Sequence, residues 1–208
     1  MSDISFDVIV LAGGESRRFG IQKCLYEISG VPMLVRICRE LNEAIVVGNV
    51  EVKGYKCLED DYSSAKCPMN GIRTGIKEVR KDKVFVTGCD FPYIKRKVAE
   101  KLCAKEAEAS LVYYNGILQP LIGCYNRDVI LRINNSECSP LSIIREARTV
   151  YLMGINELRL YDGQLMSLIN VNTWDDLKPG NTENYWSISR YYDNGELVNL
   201  LPISFRNY

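Results

Sequence analysis

The sequence predicts an α/β protein of three-layer, Rossmann-like architecture around a mostly parallel central sheet. Three observations carry this. Short apolar runs alternate with segments of helical periodicity through the first 115 residues, the pattern of a parallel sheet covered by helices on both faces. The runs FDVIVL (6–11), AIVVG (44–48) and KVFVT (83–87) have the length and composition of buried strands. Two of them end in glycine-containing turns, at 11–14 and 88–90. In such sheets ligands gather at the carboxyl ends of the strands.

Element by element, 6–11 is a strand stopped by a glycine pair. Residues 31–42 form a helix whose Val31, Leu34, Val35, Cys38 and Leu41 share one face, with Pro32 in its first turn. Strands are expected at 44–48 and 55–58. A helix follows, capped by Asn70, with Ile72, Ile76 and Val79 inward. Then come a strand at 83–87, a helix over 95–106 with Val98, Ala99 and Leu102 inward, and a strand at 109–114. Beyond 115 the pattern predicts a strand with a turn at 118–125 and helices at 126–134 and 140–147. Residues 168–177 read as a strand entering a helix capped by Thr173, with Asp175 and Asp176 in its first turn. Asp193-Asn194-Gly195 between two strand-like runs signals a hairpin. Pro179-Gly180-Asn181 divides a domain at 1–180 from an extension at 181–208.

Composition narrows the chemistry. Lys plus Arg and Asp plus Glu are both 26, so no global field draws nucleic acid or an anionic membrane. No apolar run approaches the ~20 residues of a membrane span, and an acidic start argues against a signal peptide; a cytoplasmic location is expected. The eight cysteines lack Cys-x-x-Cys spacing. They are expected to be small buried thiols, with disulfides an option for a hyperthermophile's protein. Histidine is absent. Catalysis by an imidazole base or a Ser-His-Asp triad is therefore excluded. Carboxylates, lysines, backbone amides and a bound metal remain.

The most informative stretch is LAGGESRRFGIQK, 11–23. Gly13 and Gly14 let the backbone turn and approach a ligand, and successive amides there can form an anion nest. Arg17, Arg18 and Lys23 add positive charge suited to phosphate. The stretch matches neither a Walker A loop nor Gly-x-Gly-x-x-Gly, and a plain turn with solvated charges is the alternative. Asp90, after the strand at 83–87, places a carboxylate at the same predicted edge. That suits a hard cation shared with phosphate oxygens; the bland reading is a helix cap.

These segments resemble the molybdenum cofactor guanylyltransferase family. Leu-Ala-Gly-Gly-x-Ser-x-Arg-Phe-Gly-x-x-Lys at 11–23 looks like its signature. Cys67-Pro68-Met69-Asn70-Gly71-Ile72, Cys89-Asp90-Phe91-Pro92, Gln119-Pro120-Leu121 and Asn170-Val171-Asn172-Thr173 follow in family order. Cys67 in place of a glycine, Trp174 in place of a common proline and the longer tail depart from it.

The resemblance implies a nucleotidyltransferase fold and transfer of GMP from GTP to the phosphate of molybdopterin, with pyrophosphate released. Backbone groups of Leu11, Ala12, Gly13 and Gly14 would hold the nucleotide. Lys23, Arg17 and Arg18 would serve its phosphates, with Lys23, Arg18 and Asp90 catalytic. Asp60, in the position of a guanine-contacting Asp, suits the paired N1–H and N2–H donors, and Asn49 lies near another base contact. Asp90 would bind Mg2+, joined by Asn172, for which an Asx turn is the alternative reading. GTP and a molybdopterin-type acceptor are the implied partners, with a homo-oligomer or a transient cofactor-pathway protein left open. Two alternatives stay in view: a cytidylyl- or sugar-phosphate nucleotidyltransferase, and a non-catalytic nucleotide-binding protein.

Overall fold

The computed structural model describes residues 5–13, 23–59, 67–172, 176 and 185–200. They build a nine-stranded mixed sheet with helices on both faces. In chain order, β1 (Asp7–Leu11) leads through a short 3-10 turn at Lys23–Leu25 to a two-stranded ribbon, β2 (Glu27–Ile28) and β3 (Val31–Pro32). Then follow α1 (Met33–Leu41), β4 (Ala44–Val47), β5 (Lys56–Leu58), α2 (Pro68–Ile76), β6 (Lys83–Gly88) and α3 (Arg96–Cys103). After these come β7 (Ala109–Tyr114), β8 (Ile117–Asn126), α4 (Arg127–Arg132), α5 (Leu141–Glu146), β9 (Thr149–Met153) and α6 (Ile155–Leu158). A 3-10 turn at Met166–Leu168 precedes β10 (Arg190–Asp193) and β11 (Glu196–Leu200).

The sheet order is β11-β10-β9-β7-β8-β6-β1-β4-β5. Strands β5, β4, β1 and β6 are parallel, and β9 runs parallel to β7. β8 lies antiparallel between β6 and β7. The carboxyl ends of β1, β4, β5, β6, β7 and β9 therefore share one edge.

Strand alternation divides the core in two. Val8 and Val10 of β1 join Leu34 and Ile37 of α1 and Val98 and Leu102 of α3 on one face. Ile9 and Leu11 join Met69 and Ile72 of α2 and Val129 and Ile130 of α4 on the other. Fully burying each such side chain contributes about 1.5–3 kcal/mol, which explains why these strands carry almost no polar residue.

Several boundaries depart from expectation. Val31 and Pro32 pair with Ile28 and Glu27 as a ribbon, so α1 starts two residues later. α2 begins at Pro68 with Cys67 as its cap. Asn70 lies buried inside the helix, accepting a bond from Arg73 Nη1 at 3.2 Å. No strand forms at 168–172, where a 3-10 turn runs into irregular chain. The expected cap Thr173 lies outside the described residues. β9 and α6 carry no sequence expectation.

The cysteines also require correction. Cys24 bonds to Cys89, and Cys103 to Cys124, across 65 and 21 residues of chain. Buried thiols were expected because spacing alone cannot show that residues so far apart meet at neighbouring elements. Loop closure in the unfolded chain makes each bond worth about 3–4 kcal/mol on the chain-entropy account. Cys38 is a buried thiol, as expected, whereas Cys57 and Cys67 are half-buried and Cys138 is exposed.

The hairpin of β10 and β11, turning at Asn194-Gly195, extends the sheet through pairing of β10 with β9. Its lead-in is fastened at a polar knot. Ser187 and Ser189 accept from the amides of Ile155 and Gly154 at 2.9 and 3.0 Å. Ser189 donates to Glu157 at 2.7 Å, beside Lys105 at 2.8 Å and the Tyr151 hydroxyl. Burial alone would raise the Glu157 pKa, but bonds from Lys105, Tyr151 and Ser189 outweigh it and hold the carboxyl below its ordinary value. A depressed folded pKa stabilises above the unfolded value of 4.5 and is lost as pH falls through the folded one. Glu157→Gln is therefore expected to cost about 2 kcal/mol at neutral pH, and the gap to the parent should close well below the ordinary carboxyl value. Urea midpoints across pH check this; a gap independent of pH would mean that the charge contributes nothing.

Candidate active site

Three segments converge at the carboxyl edge of β1 and β6. β1 delivers Leu11, Ala12 and Gly13. The Leu11 carbonyl accepts from the amide of Cys89 at 2.9 Å, and the Ala12 amide donates to the Val47 carbonyl at 2.7 Å. Both backbones are thus locked into the sheet edge. Gly48, at φ +152°, lies so close beneath that a Cβ there would sit 2.6 Å from the Ala12 carbonyl carbon. Only glycine permits this approach.

β6 delivers Asp90. A Cβ on Gly88 would stand 2.2 Å from Asp90 Oδ1, so the glycine opens the cradle in which the carboxylate lies. The Asp90 carbonyl accepts from the amide of Val171 at 2.8 Å. That bond brings the third segment, 170–172, against the strand end.

Lys23 sits among these. Its ammonium donates to Asn172 Oδ1 at 2.7 Å and lies 3.9 Å from Asp90 Oδ2. Asn172 Nδ2 donates to Asn170 Oδ1 at 2.8 Å, Asn170 also bonds Asp90, and the Asn172 amide donates to Asp176 at 2.8 Å. Burial lowers the Lys23 pKa against the attraction of Asp90 and Asp176. It raises that of Asp90 against Lys23 and the bonds to its own backbone and Asn170. Each charge loses more hydration than its partner returns at that distance. Such a site gains from further charge: phosphate beside the ammonium, a cation beside the carboxylate.

The structure thus brings together Lys23, Asp90 and Asn172 next to Leu11, Ala12 and Gly13. Asn49 is exposed one residue past Gly48 at the same edge. Gly14, Arg17, Arg18 and Asp60 lie outside the described residues. The sequence reading did not assign Asn170, although it stands in the quoted Asn-Val-Asn-Thr segment. Asp176 was read only as a first-turn acid. Gly88 and Gly48 carried no signal beyond following apolar strands.

Among the described residues, no three His, Cys, Asp or Glu side chains gather as a metal cage. Magnesium does not need one, because it binds through one or two carboxylates and substrate phosphates while keeping waters. The Asp90 cradle fits that mode. The Asn172 oxygen is taken by Lys23, an arrangement that orients the ammonium.

A lysine and a carboxylate at the carboxyl edge of an α/β sheet form an arrangement that can receive a nucleotide's phosphates and a cation. The profile of the MobA-like NTP transferase domain matches residues 8–149, and the chain belongs to that family. A probable molybdenum cofactor guanylyltransferase from Thermococcus sibiricus is 30% identical, the match covering 82% of this chain and 94% of that one. Another from Pelotomaculum thermopropionicum is 28% identical over 81% and 88%. Among solved structures, molybdopterin-guanine dinucleotide biosynthesis protein A from Archaeoglobus fulgidus superposes with a TM-score of 0.68 at 22% identity, covering 83% of this chain and 95% of that one. The 2-C-methyl-D-erythritol 4-phosphate cytidylyltransferase from Thermus thermophilus has the same fold, with a TM-score of 0.59 at 13% identity over 83% and 95%.

Proposed function

We propose that this nucleotidyltransferase moves GMP from GTP to the phosphate of a molybdopterin-type acceptor and releases pyrophosphate. The convergence of Lys23, Asp90 and Asn172 at the strand edge is the observation that carries the phosphate chemistry. The names of the relatives from Thermococcus and Pelotomaculum support the choice of nucleotide and acceptor. Asp60 is the residue for guanine.

A phosphate monoester is largely dianionic at neutral pH. The acceptor can therefore attack the α-phosphorus without a general base, in keeping with a chain that has no histidine. What remains is positioning and charge neutralisation. Asp90 would hold Mg2+, which when bound supplies Lewis-acid neutralisation of the phosphate oxygens. Lys23, aimed by Asn172, binds phosphate; Arg17 and Arg18 are assigned the same duty. Leu11, Ala12 and Gly13 shape the floor under the nucleotide, with Asn49 at its rim, and Gly14 is assigned to the same backbone contacts. On this reading the protein works in the cytoplasm, beside the supply of GTP.

Calorimetric titration with the four Mg·NTPs tests the assignment, followed by pyrophosphate release with and without molybdopterin. GTP is expected to bind at least tenfold more tightly than CTP, with release only when acceptor is present. Preference for CTP would overturn the guanine assignment. Release from GTP alone at the full rate would overturn the acceptor.

A further inference from the structure

Cys24 follows Lys23 and Cys89 precedes Asp90, and the two cysteines are joined. We propose that the Cys24–Cys89 disulfide is a positioning element of the catalytic site, fixing the phosphate-binding lysine against the carboxylate, so that its reduction loosens triphosphate binding and slows transfer. This rests on the roles given to Lys23 and Asp90 above.

The geometry shows why a covalent tie matters here. β1 ends at Leu11, and Lys23 opens a 3-10 turn twelve residues further along the chain. The departure point is held by sheet bonds: Leu11 to Cys89 and Ala12 to Val47. The return point is a three-residue 3-10 turn, Lys23–Leu25. Within the turn the Tyr26 amide donates back to the Lys23 carbonyl at 3.0 Å, and the Lys23 side chain reaches Asn172 and Asp90. The disulfide adds a covalent tie between this turn, whose Cys24 lies in the core, and the end of β6. Cys24 and Cys89 are each 5% exposed, and Cys24 Sγ lies 3.5 Å from the Ala12 carbonyl oxygen, a contact with the end of β1. With its Cα atoms 5.5 Å apart, the bond anchors the return point to the end of β6. Lys23, only 15% exposed, is thereby kept in a place that its own hydration disfavours.

Opening the bond needs a dithiol reductant. The dithiol gives up two electrons and two protons, Cys24 and Cys89 become thiols, and the reductant becomes a cyclic disulfide. The second disulfide, between α3 and β8, provides the control, because Cys103 ends α3 and Cys124 pairs with Phe85 inside β6, short of the strand end that leads to Asp90. In a C103S/C124S chain a dithiol opens only the Cys24–Cys89 bond.

The probe is magnesium tripolyphosphate, titrated calorimetrically into C103S/C124S protein before reduction, after reduction and after re-oxidation, with thiols counted at each stage. Reduction is expected to weaken binding about tenfold and re-oxidation to restore it. A C24S/C89S chain should bind weakly from the start and ignore the dithiol. In parallel, kcat for GMP transfer should fall by tenfold or more while KM for the acceptor holds, since small misplacements of this kind cost up to about a hundredfold. If C103S/C124S does not fold, C103A/C124A serves in its place, and if C24S/C89S does not fold, C24A/C89A does, so that the dithiol still has a single bond to open. Equal affinity in the reduced and oxidised forms would overturn the proposal. Absence of GMP transfer in every form, with a redox-dependent tripolyphosphate affinity, would overturn the guanylyltransferase reading and leave the positioning role standing.

Discussion

Asp90→Asn is expected to lower GMP transfer about a thousandfold while the melting temperature stays the same or rises slightly. Both halves come from the same cradle. Gly88 leaves no side chain between β6 and the carboxylate, and Lys23 stands 3.9 Å away. Burial raises the Asp90 pKa, and neither Lys23 nor the hydrogen bonds to its own backbone and Asn170 fully reverse this. A carboxyl whose folded pKa exceeds its unfolded value of 3.8 binds its proton more tightly in the native state. Its ionised form therefore subtracts stability once pH rises through that window. Asparagine has the same shape and carries no charge to desolvate. Removing a charge that the fold does not need, but that a cation does, separates activity from stability. Calorimetric unfolding and turnover, measured on the same preparation, check this. A variant that loses several degrees as well as activity would make Asp90 a structural residue.

The pH profile should agree. kcat/KM reports the free enzyme, so its acid limb is expected above the ordinary carboxylate value, because burial raises Asp90 there. Activity is lost on the acid side as protonation removes the cation's ligand.

How much of this was legible depends on whether the signal was local. β1, β4, β6 and β7 were readable because a strand buried on both faces must be apolar at every position, and Asp7–Leu11, Ala44–Val47, Lys83–Gly88 and Ala109–Tyr114 are nearly so. β9 was missed because TVYLM follows a helix without a glycine or proline to announce it. The β8 strand carries Pro120, which cannot donate to a ladder. The register shift against β7, between Leu111 and Val112, accommodates it, and Tyr125 donates to the Pro120 carbonyl at 2.6 Å. The segment therefore read as a strand with a turn. In the site, Lys23 and Asp90 stood out as charges beside glycine-ended strands. Asn172 meets Lys23 across 149 residues. Nothing local in Asn-Val-Asn distinguishes a residue that aims an ammonium from an Asx turn or a metal ligand. The disulfides were hidden for the same reason: partners 65 and 21 residues apart are brought together by topology.

Lys23→Met and Lys23→Arg are both expected to lose about a hundredfold in kcat/KM, or about 2.7 kcal/mol of transition-state stabilisation. The arginine result carries the argument. At an open phosphate site Arg replaces Lys with modest loss, because both present a cation. Here the ammonium is a point charge fitted between Asn172 Oδ1 at 2.7 Å and Asp90 Oδ2 at 3.9 Å, with 15% of the side chain exposed. A guanidinium is planar and longer, and it presents five donors in a fixed fork. In this position it would push Asn172 from Asn170, which bonds Asp90 in turn, or swing outward, away from the phosphate. Asn172→Ala should then give the intermediate result, a loss of about tenfold, because the ammonium remains but is no longer aimed. Steady-state kinetics with GTP varied separate the three variants. Near-parental activity in Lys23→Arg would mean that the cation is needed only for its charge. In that case the bond from Lys23 to Asn172 would not position it for transfer.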